Sequence, residues 1–511
     1  MPGRRFIIIT TLNISVVLPL SHPMAANILS AGDRSRGCSM ARHATDGGLW
    51  RLDAQDIAAG LRQREFSVRE VVTACLERWQ AVNPRINALT EVRPEAALAA
   101  ADAADRALAR GGATSPLHGI PVTIKGNVDL EGWATVNGCA ALRDHIARAS
   151  SPCVRNWLDA GAVVIGRSNT PEFCCRWETS NEVYGATRNP WNLRHTPGGS
   201  SGGAAAALAT GITPLAHGND LGGSLRHPAQ ACGVASIRPG LGRVPAWNPG
   251  DPAEPGIGVQ LMHAEGPMAR RVEDVRLGLR AMAGGDWHDP WWRPAADDEP
   301  ARPASVISLV VDPAGGGISD QVAAGIRRAG RLLEQAGYRV EDTEPPGIQD
   351  AAQVWRVICL GELLTGLEPA VRDIRGPSLA RALEYYRALL PEITLDMYMG
   401  AFARRRALLR DWLGFFQRHD LIVAPVSTEP PLETDADIES PARMARVVES
   451  FRMTVAVNAL GLPAAVVPVG LGDGFPQVVQ IIGPPGSEMR CLDAARAIER
   501  QVTPLTPIDP R

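Results

Sequence analysis

The chain has 511 residues, of which 45% are hydrophobic and 21% charged, as in a soluble globular protein with ample length for a core. A formal net charge of −3 with interspersed signs gives no basic stripe, so no nucleic-acid partner is expected. Nine cysteines without paired CxxC spacing fit a reducing compartment better than a disulfide framework, and the lack of HExxH, Walker and EF-hand patterns predicts neither a metal nor a cofactor.

Residues 1–45 differ in character from the rest of the chain. Arg4 and Arg5 precede an apolar run at 6–20, which resembles a signal peptide with an imperfect cleavage site. The run is interrupted by Asn13 and is short for a membrane-spanning helix, so no membrane span is expected. A start codon placed too far upstream is the other interpretation, and the cysteine pattern favours it. We therefore predict a disordered leader on a cytoplasmic protein, with export as the alternative.

After this leader, helical and strand-like segments alternate along the chain. Helical spacing of apolar residues, or an alanine-rich composition, occurs in seven segments: 53–60, 67–79, 96–109, 272–283, 320–336, 401–418 and 492–500. The second of them begins with a capping box made by Ser67 and Glu70. Six segments have the pattern of buried strands: 122–124, 162–165, 305–311, 421–426, 464–469 and 478–482.

This alternation predicts an α/β fold, a sandwich in which helices flank a large mixed central sheet. The stretches at 245–256 and 287–303 are rich in proline or glycine and have the composition of surface loops. Because the strands before and after these loops are expected to share one sheet, we predict a single domain over 48–505.

Among the 52 cationic side chains there is a single lysine, Lys125, and all the others are arginine. Arginine stays protonated in proteins, whereas a buried lysine can lose its proton and act as a general base. Five apolar or β-branched residues at 120–124 lead into Lys125, as in a buried strand. This context favours a functional lysine over a surface lysine that escaped substitution by chance.

The segment 196–204, Thr-Pro-Gly-Gly-Ser-Ser-Gly-Gly-Ala, allows several interpretations. As a phosphate-binding loop it lacks the Gly-Lys-[Ser/Thr] ending. Residues 199–203 also fit the G-x-S-x-G pattern, which places Ser201 at the elbow of an α/β-hydrolase, but a proline-containing loop precedes the pattern where a strand is required.

A third interpretation combines this segment with Lys125 and with a second Gly-Gly-Ser unit at 222–224. A serine hydroxyl needs a base to become a nucleophile, and no histidine here has a convincing partner pattern. A neutral buried lysine could be that base, relayed through a second serine. Two glycines before a serine also suit an oxyanion hole, because they let N–H groups crowd around one point.

These residues resemble the amidase signature family, whose hallmark is a Gly-Gly-Ser-Ser-Gly-Gly core followed by an Asp-x-Gly-Gly-Ser-Ile-Arg segment. The resemblance implies that Lys125 is the base, that Ser200 is a bridging serine after a cis peptide bond, and that Ser224 is the acyl-forming nucleophile. It also implies an oxyanion hole that is built from the N–H groups of Leu221, Gly222, Gly223 and Ser224. The residues implied to support the catalytic loops are Gly198, Gly199, Ser201, Asp220 and Arg226.

The resemblance covers roughly 50–501, since similar segments begin at Gly166, Tyr184, Gly266 and Gly461. The chain departs from the family pattern at two positions and in one stretch near the motifs. Asn219 replaces the usual Thr or Ser, and Leu225 replaces Ile. The stretch 236–240, Ser-Ile-Arg-Pro-Gly, replaces the usual Gly-Leu-Lys-Pro-Thr, so that Arg238 stands where the family has lysine.

The resemblance implies an amidase that converts a small-molecule carboxamide to a carboxylate and ammonia or an amine, without a cofactor, and as a homodimer. Two alternatives stay open: the A subunit of a glutamyl-tRNA amidotransferase, acting as a glutaminase for a partner subunit, and a catalytically silent binding protein on the same fold. The leader and the loop at 245–256 favour the stand-alone enzyme. Four tryptophans, Trp287, Trp291, Trp292 and Trp355, are candidates for an apolar pocket, although large aromatic residues more often serve in packing. Nothing in the sequence separates an aliphatic from an aromatic acyl group.

Overall fold

Eleven strands form one mixed sheet in the computed structural model, which describes residues 48–111, 115–294, 306–390 and 392–511. Two further strands, β4 (Ser180–Asn181) and β5 (Gly185–Ala186), pair only with each other. The strands of the large sheet are β1 (Leu89–Val92), β2 (Pro121–Lys125), β3 (Val163–Ser168), β6 (Leu215–Asp220), β7 (Ala235–Arg238), β8 (Ala264–Ala269), β9 (Val306–Leu309), β10 (Arg339–Asp342), β11 (Leu421–Ala424), β12 (Ala464–Gly472) and β13 (Phe475–Ile482).

The spatial order of this sheet is β1-β3-β2-β6-β8-β7-β12-β13-β11-β9-β10. Strands β3, β2 and β6 are parallel neighbours, as are β11, β9 and β10, and the remaining pairs are antiparallel. The predicted mixed central sheet is therefore confirmed. The leader predicted at 1–45 lies outside the described residues, and Gly47–Arg511 form one compact unit.

The α-helices are α1 (Ala54–Gln63), α2 (Val68–Ile86), α3 (Pro94–Ala109), α4 (Pro152–Asp159), α5 (Gly202–Thr210), α6 (Arg226–Cys232), α7 (Ile257–Met262), α8 (Val272–Met282), α9 (Asp320–Gln335), α10 (Ile348–Trp355), α11 (Glu368–Val371), α12 (Pro377–Ala388), α13 (Leu395–Phe415), α14 (Pro441–Ser450), α15 (Arg452–Leu460) and α16 (Glu488–Glu499). The capping box at the start of α2 is confirmed: the Ser67 side chain accepts from Glu70 N, and Ser67 N donates to the Glu70 carboxylate at 2.7 Å. Within the described ranges, none of the helices has the length and apolar character needed to cross a membrane.

The sheet separates two hydrophobic cores. Along β12, Ala465 and Val467 belong to one core, whereas Ala464 and Val466 belong to the other. This alternation follows from the strand period of two residues, which directs successive side chains to opposite faces. Both faces are covered by helices, which gives the sandwich expected from the sequence.

All seven predicted helices and all six predicted strands occur, with shifted ends; residue 305 of the third strand lies outside the described residues. The strands β1, β6, β7, β8 and β10 of the large sheet were not predicted, nor was the pair β4 and β5. Strand β6 carries three polar residues, His217, Asn219 and Asp220, and β8 contains Pro267, so neither has the composition of a buried strand. Their polar residues are instead part of the site described next.

Candidate active site

The candidate site lies at the carboxyl ends of the parallel strands β2, β3 and β6. Lys125 is the last residue of β2, and Asp220 is the last residue of β6. Because parallel strands end at the same edge, the two residues and the loops after them come together there. Ligands of open α/β sheets commonly bind at this edge.

Lys125 is fully buried at this edge, with its amine held between two side chains. The Nζ atom lies 2.7 Å from Ser200 Oγ and donates to Asn219 Oδ1 at 2.6 Å. Burial lowers the pKa of Lys125, although Cys174, Glu265 and Asp220 oppose this effect. A lysine with a lowered pKa is the kind that accepts a proton near neutral pH.

Ser200 lies on a tightly packed loop just before α5. The Gly199–Ser200 peptide bond is cis, as the resemblance implies. A Cβ atom on Gly199 would lie 2.6 Å from Arg176 O, and one on Gly203 would lie 2.4 Å from Asn169 N. The glycines around Ser200 are therefore required by the close approach of other backbone segments.

His227 packs behind this loop but does not have the properties of a base. Its Nδ1 accepts a hydrogen bond from Gly199 N at 3.4 Å, and burial lowers the pKa of His227 to about 3. A histidine with so low a pKa is neutral at physiological pH and serves as an acceptor.

Ser224 and Ser201, the two serines that compete for the nucleophilic role, lie in different environments. Ser224 is half-buried in the loop between β6 and α6. Ser201 is fully buried, and its hydroxyl donates to the backbone carbonyl of Asn219 at 3.3 Å. Access from solvent therefore favours Ser224.

The loop at 221–224 contains three backbone N–H groups that find no acceptor among the residues that the structure describes, namely those of Leu221, Gly222 and Ser224. The Gly223 N–H was expected to be a free donor of the oxyanion hole, but it is not free. Its N–H donates to Asp220 Oδ1 at 2.8 Å, because the backbone turns at this glycine with a φ of 107° and directs the group toward β6. Gly223 thus shapes the loop, and three donors remain.

Asp220 and Arg226 form a buried ion pair that fixes this loop from behind. The Arg226 guanidinium donates to both Asp220 carboxylate oxygens, at 3.0 and 3.1 Å, and also to Gln480 and Asn458. Burial by itself raises the pKa of Asp220, but Arg226, Arg238 and the hydrogen bond from Asn458 together outweigh it and hold that pKa below its usual range. Arg238, buried nearby, donates to three backbone carbonyls.

Replacing Arg226 with methionine should lower the free energy of unfolding by about 3–5 kcal/mol, because the Asp220 carboxylate would stay buried without its charge partner. Urea unfolding followed by circular dichroism measures this loss. Arg280→Met, an exposed change on α8, is the matched control and should alter stability by less than about 1 kcal/mol. Equal losses in the two variants would show that the buried pair has no special role.

Aromatic rings pack against the loop that carries Ser224, and sequence reasoning identified only one of them as a candidate. The Trp355 indole N–H donates to Leu221 O at 2.9 Å, and a Cβ on Gly222 would meet the same ring at 2.8 Å. Trp177 stacks on Phe451, with ring centroids 4.3 Å apart, and lies 6.4 Å from Trp355. Apart from the presence of tryptophan, no sequence pattern indicates this cluster.

Two polar neighbours of Lys125 were also missed. Glu265 lies on β8, directly opposite Asn219 on β6. Cys174, whose charge acts on Lys125, is partly exposed, as is its neighbour Cys175. All eight cysteines in the described ranges are free thiols.

Comparison with known proteins shows to which family this chain belongs. Residues 70–492 match the protein family described as Amidase. The fold matches that of a bacterial aryl acylamidase of the amidase signature family with a TM-score of 0.78 and 27% identity, over 89% of this chain and 96% of that one. The chain belongs to the amidase signature family. It is an amidase, a hydrolase that acts on the carbon–nitrogen bond of an amide.

Curated relatives of this amidase include two functional types. An indoleacetamide hydrolase of Bradyrhizobium diazoefficiens is 43% identical over 89% of this chain and 87% of its own length. The A subunit of the glutamyl-tRNA(Gln) amidotransferase of Moorella thermoacetica is 32% identical over 88% of this chain and 97% of its own length. The amidase is thus more similar to the first of these proteins.

Proposed function

We propose that this amidase hydrolyses the primary amide of an arylacetic acid to the carboxylate and ammonia, with Ser224 as the nucleophile. The observation that carries the proposal is the contact of 2.7 Å between the buried Lys125 amine and Ser200, at the sheet edge from which the Ser224 loop extends. A buried amine next to a hydroxyl is an effective proton acceptor only when it is neutral, and burial favours that state.

In the first step the Ser224 hydroxyl oxygen attacks the carbonyl carbon of the amide. Its proton passes to Ser200 Oγ, while the Ser200 proton passes to the neutral Lys125 Nζ, which becomes an ammonium group. The carbonyl oxygen takes up the electron pair of the C=O bond and becomes an oxyanion. The step therefore creates one positive and one negative charge, and Ser200 ends it with its hydroxyl restored.

The free N–H groups of Leu221, Gly222 and Ser224 are the proposed donors to this oxyanion. Removal of one such donor typically lowers kcat by a factor of roughly 10²–10³. The bond from Asp220 to Gly223 N holds the loop in the conformation in which these three donors are available. The supporting role proposed for Asp220 and Arg226 is this fixation of the loop.

The same relay then runs in reverse. Lys125 returns its proton through Ser200 to the amide nitrogen, the oxyanion re-forms the C=O bond as the C–N bond breaks, and ammonia leaves a Ser224 acyl-enzyme. A water molecule attacks this ester and gives one proton to the relay, which returns it to the Ser224 oxygen as the C–O bond breaks. The carboxylic acid is released and loses its remaining proton to solvent, which gives the carboxylate.

Three facts support an aromatic acyl group. The relative at 43% identity is an indoleacetamide hydrolase, and one solved neighbour is an aryl acylamidase. In this chain, Trp355 packs against Gly222, and the methyl group of Thr454 packs against Gly223 with Trp177 farther away. An aromatic acyl group bound beside the loop would gain apolar burial in such surroundings.

A panel of primary amides tests the proposal: indoleacetamide, phenylacetamide, propionamide and glutamine, with ammonia release as the measurement. We expect kcat/KM for the two arylacetamides to exceed that for propionamide by roughly 100-fold, since burying about 100 Å² of ring surface contributes ~2.5 kcal/mol. A preference for propionamide would contradict the aryl assignment. A preference for glutamine would favour the amidotransferase role, and the relatives at 32% identity are the reason to include this substrate.

A further inference from the structure

A chain of polar side chains leads from Lys125 into the sheet, beyond the residues that the proposed mechanism uses. Lys125 Nζ donates to Asn219 Oδ1 at 2.6 Å. The other end of the same amide, Nδ2, donates to Glu265 Oε1 at 3.4 Å and to Asn127 Oδ1 at 3.3 Å. Asn219 and Glu265 are cross-strand partners on β6 and β8, so their side chains share one face of the sheet.

Glu265 is a buried carboxylate that two histidines face. His217 Nε2 lies 2.8 Å from Oε2, and His263 Nε2 lies 3.5 Å from Oε1. Burial raises the pKa of Glu265, but the hydrogen bond with His217 and the charges of the groups around the carboxylate outweigh burial, so that the pKa is lowered and the group is ionised at neutral pH. An ionised carboxylate accepts hydrogen bonds and cannot donate them.

The orientation of the Asn219 amide follows from this charge. With Glu265 ionised, the amide must present its NH₂ group to the carboxylate and its oxygen to Lys125. The reversed orientation would bring the amide oxygen against a carboxylate oxygen and the NH₂ group against the lysine amine. Glu265 therefore holds Asn219 in one orientation, as an acceptor for Lys125.

This orientation bears directly on the amine. A neutral amine has two N–H bonds and one lone pair, and the amide oxygen of Asn219 can only accept, so one N–H is committed to it. We infer that Glu265, acting through Asn219, is a positioning residue that turns the Lys125 amine so that its lone pair faces Ser200. The inference rests on the function proposed for Lys125.

Other titratable groups lie close to these side chains. Cys174 and Asp220 act on Lys125 together with Glu265. Cys153 Sγ lies 3.7 Å from His217 Nε2, and with Glu265 these side chains form a group whose ligand atoms lie within 4.8 Å of one another. Two ligands of one tetrahedral zinc ion would be ~3.3 Å apart, so the 2.8 Å between His217 and Glu265 favours direct contact over shared metal coordination.

The test is a double-mutant cycle with full pH profiles of kcat/KM. Glu265→Gln replaces the carboxylate with an amide that can face Asn219 with either end, so the fixed orientation is lost. We expect the plateau of kcat/KM to fall about tenfold with little change in KM. In the Asn219→Thr background a hydroxyl can rotate toward Lys125 unaided, so the same Glu265→Gln change should cost less than about twofold.

Three results would overturn the inference. A purely structural role predicts the same loss in both backgrounds. A purely electrostatic role predicts a lower-pH acid limb, because a negative charge near Lys125 is gone, with an unchanged plateau. If the wild-type enzyme contained stoichiometric zinc and the Glu265→Gln variant contained none, Glu265 would be a metal ligand. Thermal unfolding of all four proteins checks folding, and Lys125→Arg separates this question from the proposed function: if that variant keeps turnover, the function fails as well.

Discussion

Lys125→Arg should lose amide hydrolysis at neutral pH by a factor of roughly 10⁴ or more, although it keeps the positive charge. The guanidinium stays protonated and cannot accept the proton that Ser200 must give up. In the wild-type enzyme the base must be neutral. Activity should therefore be lost at pH values below the lowered pKa of Lys125 and should increase as the pH rises through that pKa. Steady-state ammonia release over a pH series measures both effects.

Because Lys125 is fully buried, the larger guanidinium of Lys125→Arg also disturbs the packing around it. A second variant is therefore needed to separate the loss of the base from a loss of packing. Lys125→Met has nearly the same volume and no base, and it should be equally inactive while unfolding at a similar temperature. The matched control is Arg62→Lys, an exposed change in α1 that adds a second lysine and should leave kcat/KM unaltered. Turnover by Lys125→Met within tenfold of wild type would refute the role proposed for this amine.

Ser224→Ala should remove the covalent adduct that a fluorophosphonate forms with the enzyme and should lower kcat by about 10⁵–10⁶. The alanine has no oxygen to attack the carbonyl, while the oxyanion donors and the relay remain. Intact-protein mass spectrometry detects the adduct, and ammonia release gives the rate.

Ser201→Ala is the matched control, since Ser201 is the neighbouring serine in the competing G-x-S-x-G interpretation. Its hydroxyl is buried against the Asn219 carbonyl, so the variant should still form the adduct. An adduct that survives in Ser224→Ala and disappears in Ser201→Ala would reverse the assignment. A wild-type protein that forms no adduct and releases no ammonia would favour the silent binding protein.

Local pattern accounts for the parts of the fold that could be predicted. Helices such as α2 and α9 carry periodic apolar residues and capping serines, which are visible in a short window of sequence. Strands β11 and β12 are apolar runs that face both cores, and β2 contributes Val122 and Ile124 to one of them. Strand β6 was not predicted because Asn219 and Asp220, the residues that it contributes to the site, lower its strand propensity.

Prediction of the site from the sequence is limited for a different reason. Lys125 and Ser200 were brought together by chemical reasoning and by resemblance, and their contact joins residues far apart in sequence. The acceptor of Gly223 N and the position of Glu265 depend on backbone turns and strand register, which no motif specifies. Pairings across strands are therefore where the sequence alone fell short.

The burial of a lone lysine also makes the chain a reporter of its own unfolding. A lysine-specific endoprotease has one peptide bond to cut, the one between Lys125 and Gly126, and in the native state that lysine is inaccessible at the end of a buried strand. Cleavage at this bond requires the strand to leave the sheet, so its rate follows the population of open molecules. Two fragments on a gel would thus count unfolding events, with no label or engineered site.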